Sequence, residues 1–308
     1  MLTNAPDQSP LTIVVPALNE EAAIGETLRA LRQRFHAAEI LVVDDGSNDR
    51  TGERAAAVAG VQVLRHETTR GYGASIKTGV RRAAHDTVAW YDADGQHTPE
   101  ALEALLARFH ARDLHAAIGA RTKDSAYERR RLIGKAVLGF VVQFVAARRM
   151  TDVNCGLRVI RRRALRRYLH LLPDGFSAAI TSTLLMLKRG YRVEFVPIVV
   201  RPRIGHSSVR ILRDGLRSLH TSLRILVLFH AFRAFSFVAA TLFLVGSVYG
   251  LSVALTVGLG FPALASVLVL SGVIIFFMGL LTDQVVALRM ERLEEDGTDD
   301  AVPEARVR

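Results

Sequence analysis

Short apolar, β-branched runs alternate with amphipathic stretches through the first third of the chain. Leu11-Thr12-Ile13-Val14-Val15 predicts a buried strand that Pro16 ends. Asn19, Glu20 and Glu21 open a helix over 22–34, with apolar positions Ile24, Leu28 and Leu31. Acids in a first turn suit the positive end of the helix dipole. Glu39-Ile40-Leu41-Val42-Val43 predicts a second strand, which runs into the turn Asp44-Asp45-Gly46-Ser47 and a helix over 51–59. Val61-Gln62-Val63-Leu64 is a third strand, and Arg70-Gly71-Tyr72-Gly73-Ala74 leads into a helix that reaches Ala84. Thr87-Val88-Ala89-Trp90 is a fourth strand, and Pro99 starts a further helix, where proline's fixed φ fits a first turn.

Strands alternating with helices imply α/β layering around a mostly parallel sheet. Ligands of such sheets sit at the carboxyl ends of the strands. Three polar clusters fall at three of those ends: 16–21, 44–47 and 92–96. The last is Asp92-Ala93-Asp94-Gly95-Gln96. If the strand continues through it, Asp92 and Asp94 point the same way. Converging carboxylates repel unless a cation lies between them, and a hard divalent ion bound to phosphates would serve. Asp and Gly are also ordinary turn residues, so the octet 89–96 alone leaves a plain turn open. The coincidence of three clusters at three strand ends favours one shared site.

Beyond Arg121 the chain turns basic, with Arg129-Arg130-Arg131, Arg148-Arg149, Arg158 and Arg161-Arg162-Arg163. Between them 132–147 carries a single charge, Lys135, and predicts an apolar helix. It fits either a core helix or one lying at the headgroup level of a bilayer, as its basic ends favour. A helix over 176–188, an extended strand over 191–200 and a basic loop over 201–208 follow. Over 209–232, Leu212, Leu216, Leu219, Leu223 and Leu226 form one stripe, and Arg210, Arg213, Arg217, His220 and Arg224 another beside it. From 234 to 282 no residue is charged. That length suits two spans of about 20 residues, each crossing roughly 30 Å of hydrocarbon. Gly258-Leu259-Gly260-Phe261-Pro262 marks the hairpin. Arginines crowd the near side of the first span, Arg289 and Arg292 follow the second, and the hairpin has no charge. Both ends are therefore expected in the cytoplasm. The expected organisation is a catalytic-type α/β domain over 1–208, an amphipathic juxtamembrane helix over 209–232, a two-helix transmembrane hairpin over 233–290 and an acidic, disordered tail over 291–308.

Composition sharpens this picture. Half of the 308 residues are hydrophobic, and the formal net charge is +10. A surplus of that size suits an anionic partner: nucleic acid, anionic lipid or a phosphorylated substrate. Aromatics make up 7% and do not interleave with the basic runs, so nucleic acid is not an expected partner. The one cysteine, Cys155, excludes an internal disulfide and a cysteine-cluster metal site. The first ten residues lack the charged start and apolar run of a signal peptide, which again points to a cytoplasmic first domain. An acid-lined pocket for a diphosphate, basic loops for a second phosphate and a membrane anchor together suit transfer of a nucleotide-activated group onto a lipid phosphate.

Several stretches also carry a family resemblance. Val14-Val15-Pro16-Ala17-Leu18-Asn19-Glu20-Glu21, Val42-Val43-Asp44-Asp45-Gly46-Ser47-Asn48-Asp49 and Asp92-Ala93-Asp94-Gly95-Gln96 resemble the family 2 glycosyltransferases of GT-A fold. The branch is similar to the dolichol-phosphate mannose synthases and bacterial polyprenyl-phosphate glycosyltransferases. Arg70-Gly71-Tyr72-Gly73-Ala74 resembles their glycine-containing connection, 152–158 their acceptor-side segment, and 203–207 their mobile loop over the donor diphosphate. The resemblance covers roughly 11–210.

It implies that Pro16, Ala17, Asn19, Glu20, Asp44, Asp45, Gly46 and Lys77 hold the nucleotide sugar, such as GDP-mannose or UDP-glucose. Asp92, Asp94 and Gln96 would hold Mg²⁺ or Mn²⁺ on its diphosphate, which Arg203 and Ser207 would grip. Arg121 and one or more of Arg129, Arg130 and Arg131 would bind the phosphate of a polyprenyl acceptor. Asp94, Arg121, Arg131, Asp152 and Arg203 form the implied catalytic set, with inversion at the sugar carbon. A phosphate acceptor is already anionic, so positioning and charge neutralisation could suffice. Asp152 could then orient an acceptor arginine, or serve only as a loop acid. Two rivals stay open: transfer to a lipid or protein hydroxyl, with Asp152 as the base, and a catalytically silent membrane scaffold. The Gln-x-x-Arg-Trp signature of processive members is absent, since the only tryptophan is Trp90. Ser208, Val209 and Arg210 stand where the mobile loop usually carries lysine. A homo-oligomer is left open.

Overall fold

The structure is a computed structural model that describes residues 10–122, 152, 155–202, 211–258 and 260–295; for 211–230 and 289–295 it describes the backbone alone. The expected helix over 132–147, Arg129 to Arg131, Arg203, Ser207, the side-chain stripes over 209–230 and the end of the acidic tail lie outside the described residues. Two compact units divide the rest, one within 10–202 and one from 211 onward.

The first unit is built on a seven-stranded sheet of order β3-β2-β1-β4-β6-β5-β7. Its elements are β1 (Leu11–Ala17), α1 (Ile24–Arg34), β2 (Glu39–Asp44), α2 (Thr51–Ala56), β3 (Val61–Arg65), α3 (Tyr72–Arg82), β4 (Thr87–Trp90) and α4 (Pro99–Ala111). β5 (Ala116–Arg121), β6 (Arg158–Arg161), α5 (Arg162–Arg166), a 3-10 turn (Leu169–Leu171), α6 (Ala178–Lys188) and β7 (Val193–Ile198) complete it. β1 is buried along its whole length, as a central strand covered on both faces must be. It pairs in parallel with β2 and β4. Among the described strands β6 alone runs antiparallel, placing Arg158 opposite Trp90. β7 is the last strand of the order, an edge that tolerates Pro197. Thr98 caps α4, its side chain accepting from the Ala101 amide, with Pro99 in the first turn as expected.

Several sequence expectations change. Pro16 does not end the first strand: it pairs in register with Val43, and β1 runs on to Ala17. The helix expected over 22–34 starts at Ile24, because Glu20 O accepts the amides of both Ala23 and Ile24 in a tight turn. β4 ends at Trp90, so strand alternation does not place Asp92 and Asp94. The basic run after 157 is part of the fold: Arg158 is fully buried in β6. Its neighbours are spent on the surface, Arg161 on Leu114 O and Asp113, Arg162 on Val80 O, and Arg163 on Asp86.

The second unit is a helical hairpin. α7 (Ile211–Val257) is one uninterrupted helix of 47 residues, with no break between the amphipathic and apolar stretches. No proline or capping glycine stands near 232 to stop it. Gly258 and Gly260 take positive φ at the turn, and α8 (Ala263–Glu295) returns. Ala231–Val257 and Ala263–Leu288 are long and apolar enough to cross a membrane. Their outer faces are apolar and open, with Phe237 77% and Leu255 76% exposed. Thr241, Thr256 and Thr282 turn their hydroxyls back onto helix carbonyls, so these three donors are satisfied within their own helices. Small residues let the helices meet closely: a Cβ on Gly246 would sit 2.8 Å from that of Leu268.

Candidate active site

The polar clusters at the ends of β1 and β2 are laced together. Asn19 N donates to Ser47 Oγ (3.0 Å), Glu20 N to Thr51 Oγ1 (2.8 Å) and Glu21 N to Asp49 Oδ2 (3.2 Å), while Asn19 Oδ1 accepts from Asn48 N. Pro16 and Ala17 are buried in β1, and Ala17 O accepts the Asp45 amide. Asp44 is buried at the end of β2. Its Oδ1 accepts from Ser47 N at 2.9 Å, and Arg65 Nε lies 3.6 Å from Oδ2. Gly46 turns the chain at φ 76°.

Asp45 carries three partners: His66 Nδ1 (2.7 Å), Arg70 N (3.0 Å) and Gly71 N (2.7 Å). His66 reaches on to Thr78 Oγ1 at 3.0 Å. Asp45 thereby fixes the start of α3, whose first residue is Tyr72. Lys77, farther along α3, is only 14% exposed in its side chain and is spent on Leu172 O and Asp174.

Tyr72 connects this layer to the acidic turn. Its hydroxyl donates to Asp92 Oδ1 at 3.1 Å. Burial, together with the Asp92 charge, raises the phenol well above its usual range, so it stays a donor. His97 Nε2 lies 3.5 Å from Asp92 Oδ2. Burial pushes the Asp92 carboxyl up, but His97, the Tyr72 hydroxyl and the nearby Arg158 charge outweigh it and hold the group below its ordinary value. Asp94 is buried, with Oδ1 accepting from Gln96 N at 3.1 Å across the Gly95 turn. Gln96 O accepts from Arg201 N at 2.9 Å, tying the turn to the segment after β7. The turn thus gathers two carboxylates and an amide within five residues. These are all-oxygen donors, hard ligands that suit Mg²⁺ or Mn²⁺. Among the described residues no three His, Cys, Asp or Glu side chains form a metal cage. An oxygen turn of this kind leaves coordination positions for a ligand's phosphates.

Two features lie behind the carboxylates. Gly156 packs against Asp92, and a Cβ there would lie 2.6 Å from Asp92 Cγ. Arg158 donates to Ala179 O (2.8 Å), Ser182 Oγ (3.0 Å), Thr183 Oγ1 (3.2 Å) and Cys155 O, with its guanidinium 4.9 Å from the Trp90 ring centre. Burial pulls this guanidinium below its ordinary value, and the neighbouring Tyr72, Cys155 and Asp92 offset that only in part. Burial likewise pushes the Cys155 thiol up to about 12, so it is a packed, inert group.

At the end of β5, Arg121 grips Asp152 with a fork: Nε to Oδ2 (2.5 Å) and Nη2 to Oδ1 (3.0 Å). Of the candidate residues, the structure brings Asp92, Asp94 and Gln96 onto one turn and pairs Arg121 with Asp152. Tyr72, His97, Gly156 and Arg158 join the acidic turn without having been singled out for it. Tyr72 and Gly156 stand inside motif stretches, and His97 directly follows Gln96, so adjacency was the available signal.

Comparison with known proteins gives these features a common source. Residues 12–169 match the family described as Glycosyl transferase family 2, and 232–288 match the GtrB C-terminal hairpin. A Methanocaldococcus jannaschii protein of uncharacterised function is 33% identical over 203 residues, covering 63% of this chain and 83% of its own length. The undecaprenyl-phosphate mannosyltransferase of Micrococcus luteus is 29% identical, covering 68% of this chain and 96% of that protein. The chain spans about half of the undecaprenyl-phosphate 4-deoxy-4-formamido-L-arabinose transferase of Pseudomonas paraeruginosa (47% of its length), at 37% identity over 49% of this chain. In fold it matches glucosyl-3-phosphoglycerate synthase from Mycobacterium tuberculosis, crystallised with Mn²⁺, UDP-glucose and phosphoglyceric acid. That match has a TM-score of 0.58 at 19% identity, over 71% of this chain and 79% of the other. The sheet is therefore a GT-A fold, and the chain belongs to glycosyl transferase family 2.

Proposed function

We propose that the protein transfers a hexose, with inversion, from a nucleotide sugar to polyprenyl phosphate at the cytoplasmic face of a membrane. The observation that carries this reading is the fork between Arg121 and Asp152. An aspartate held by both oxygens on a guanidinium is poorly placed to take a proton from a hydroxyl, whereas the arginine it orients suits an anionic acceptor. The hairpin match and the relatives' acceptor support a lipid phosphate.

In this reading the nucleotide lies over the turns after β1 and β2, framed by Pro16, Ala17, Asn19, Glu20, Asp44, Asp45 and Gly46, with the donor of GDP-mannose or UDP-glucose type. Asp92, Asp94 and Gln96 would hold Mg²⁺ or Mn²⁺, which offsets charge on the departing diphosphate. Tyr72 and His97 keep Asp92 ionised and aimed. Lys77 acts by fixing the 172–174 segment. Arg121, with Arg129, Arg130 and Arg131, would neutralise the acceptor phosphate, and Arg203 and Ser207 the leaving diphosphate. The basic approach to the first span and Arg289 and Arg292 after the second support a cytoplasmic position for both helix ends.

Incubating the purified protein with radiolabelled nucleotide sugars, Mn²⁺ and undecaprenyl phosphate should give a lipid-linked sugar from at least one donor. Asp152→Asn keeps a hydrogen bond to Arg121 but loses its charge. It should raise the KM for undecaprenyl phosphate about 10-fold and lower kcat less than 10-fold. A kcat loss on the order of 10³-fold with unchanged KM would identify Asp152 as a base and move the acceptor to a hydroxyl.

A further inference from the structure

We propose that Phe176 is the platform on which the donor's hexose lies, and so a determinant of which sugar is transferred; this rests on the glycosyl transfer proposed above. Among the described residues of the α/β unit, the exposed large apolar side chains are Leu18, Phe176 and Val199, and Phe176 is the most open at 71%. A lone exposed phenylalanine needs no explanation. This one is held in place by a built support. Its ring stacks on Tyr72, with centroids 5.4 Å apart and planes 21° from parallel. Tyr72 is fixed at its other end by the hydrogen bond to Asp92.

The loop that carries Phe176 is anchored as firmly. Ala74 N donates to Asp174 O at 3.1 Å, and Lys77 binds Leu172 O and Asp174. Gly71 and Gly73 exist for this contact: a Cβ on Gly71 would lie 2.5 Å from Asp174 O, and one on Gly73 2.9 Å from Gly175 O. The glycine-containing connection is therefore the seat of the 173–176 loop, and it holds an exposed aromatic ring against the tyrosine that binds Asp92, the carboxylate assigned to the diphosphate.

Donor geometry decides what reaches that face. The sugar is the group joined directly to the diphosphate, so it must lie next to whatever Asp92 holds. A pyranose has a face of C–H bonds, which the negative face of an aromatic ring attracts. Sugars differing in one axial hydroxyl present different faces, so the same ring would rank donors. An isoprenoid chain could also cover an aromatic ring, but the acceptor it belongs to is assigned to Arg121, not to Asp92.

The test measures Mn²⁺-dependent binding of UDP-glucose and GDP-mannose against UDP and GDP. Phe176→Ala should weaken the preferred nucleotide sugar about tenfold while leaving its nucleoside diphosphate unchanged. Phe176→Trp should keep most of the affinity, and Phe176→Leu should not restore it. The side chain is exposed, so each variant should melt at the parent temperature. Equal weakening of sugar and diphosphate, no weakening of either, or a raised KM for undecaprenyl phosphate alone would each overturn the assignment. A parent protein that binds no nucleotide sugar would overturn the proposed function itself and the platform with it.

Discussion

Asp92→Asn should reduce glycosyl transfer by on the order of 10³-fold, about 4 kcal/mol of transition-state stabilisation. The substitution keeps the shape of the side chain and an oxygen for the Tyr72 hydroxyl at 3.1 Å. It removes the charge that His97, Tyr72 and Arg158 hold in place. An amide is a poor substitute at a site meant to gather a divalent ion with a diphosphate. Stability should change little, because Asp92 follows the end of β4 and its side chain is about a quarter exposed. The check is paired: turnover with saturating donor, and donor binding with and without Mn²⁺. The parent should bind donor far better with Mn²⁺, and the variant should lose most of that difference. Activity within tenfold of the parent, or Mn²⁺-independent donor binding in both proteins, would remove the acidic turn from the chemistry and revive the scaffold reading.

Which parts of this site could be seen in the chain alone follows from range. The strand ends at Asp44 and Trp90 are local features, written in short apolar runs and the polar residues that stop them, whereas β1 continues through Pro16 to Ala17 because Pro16 lies in register with Val43 of β2. The cap at Thr98 and Pro99 is equally local. β6 was hidden because Arg158-Val159-Ile160-Arg161 reads as charge, not as strand. Burial of Arg158 depends on Ala179 O and the hydroxyls of Ser182 and Thr183, more than twenty residues on, in a helix that otherwise reads as plain apolar core. A partner at that separation has no periodicity to announce it. The expected alternation of Asp92 and Asp94 failed for a similar reason. β4 holds four residues, too few to carry its pleat into the turn, and Gly95 and the Gln96 amide do the placing instead.

That long-range construction concentrates on one small residue, Gly156. Its φ is not in the left-handed region, so an alanine there meets no backbone objection. The objection is space: the new Cβ would lie 2.6 Å from Asp92 Cγ and 2.7 Å from Oδ1. Asp92 has nowhere to retreat without giving up Tyr72 or His97, which hold its two oxygens. Gly156→Ala should therefore swing the carboxylate off its aim. A misplacement of about 1 Å in a positioning group can cost 10²-fold in rate, and a loss of that order is expected here. Because the charge survives, excess Mn²⁺ should recover part of the activity, which it should not do for Asp92→Asn. The control is Gly25→Ala in α1, where the nearest atom to a new Cβ is Arg29 Nη2 at 3.7 Å. That change should leave turnover intact and stabilise the helix by up to about 1 kcal/mol. If Gly156→Ala keeps turnover within threefold of the parent, Asp92 is free to move, and the tight packing behind it plays no part in aiming the ion.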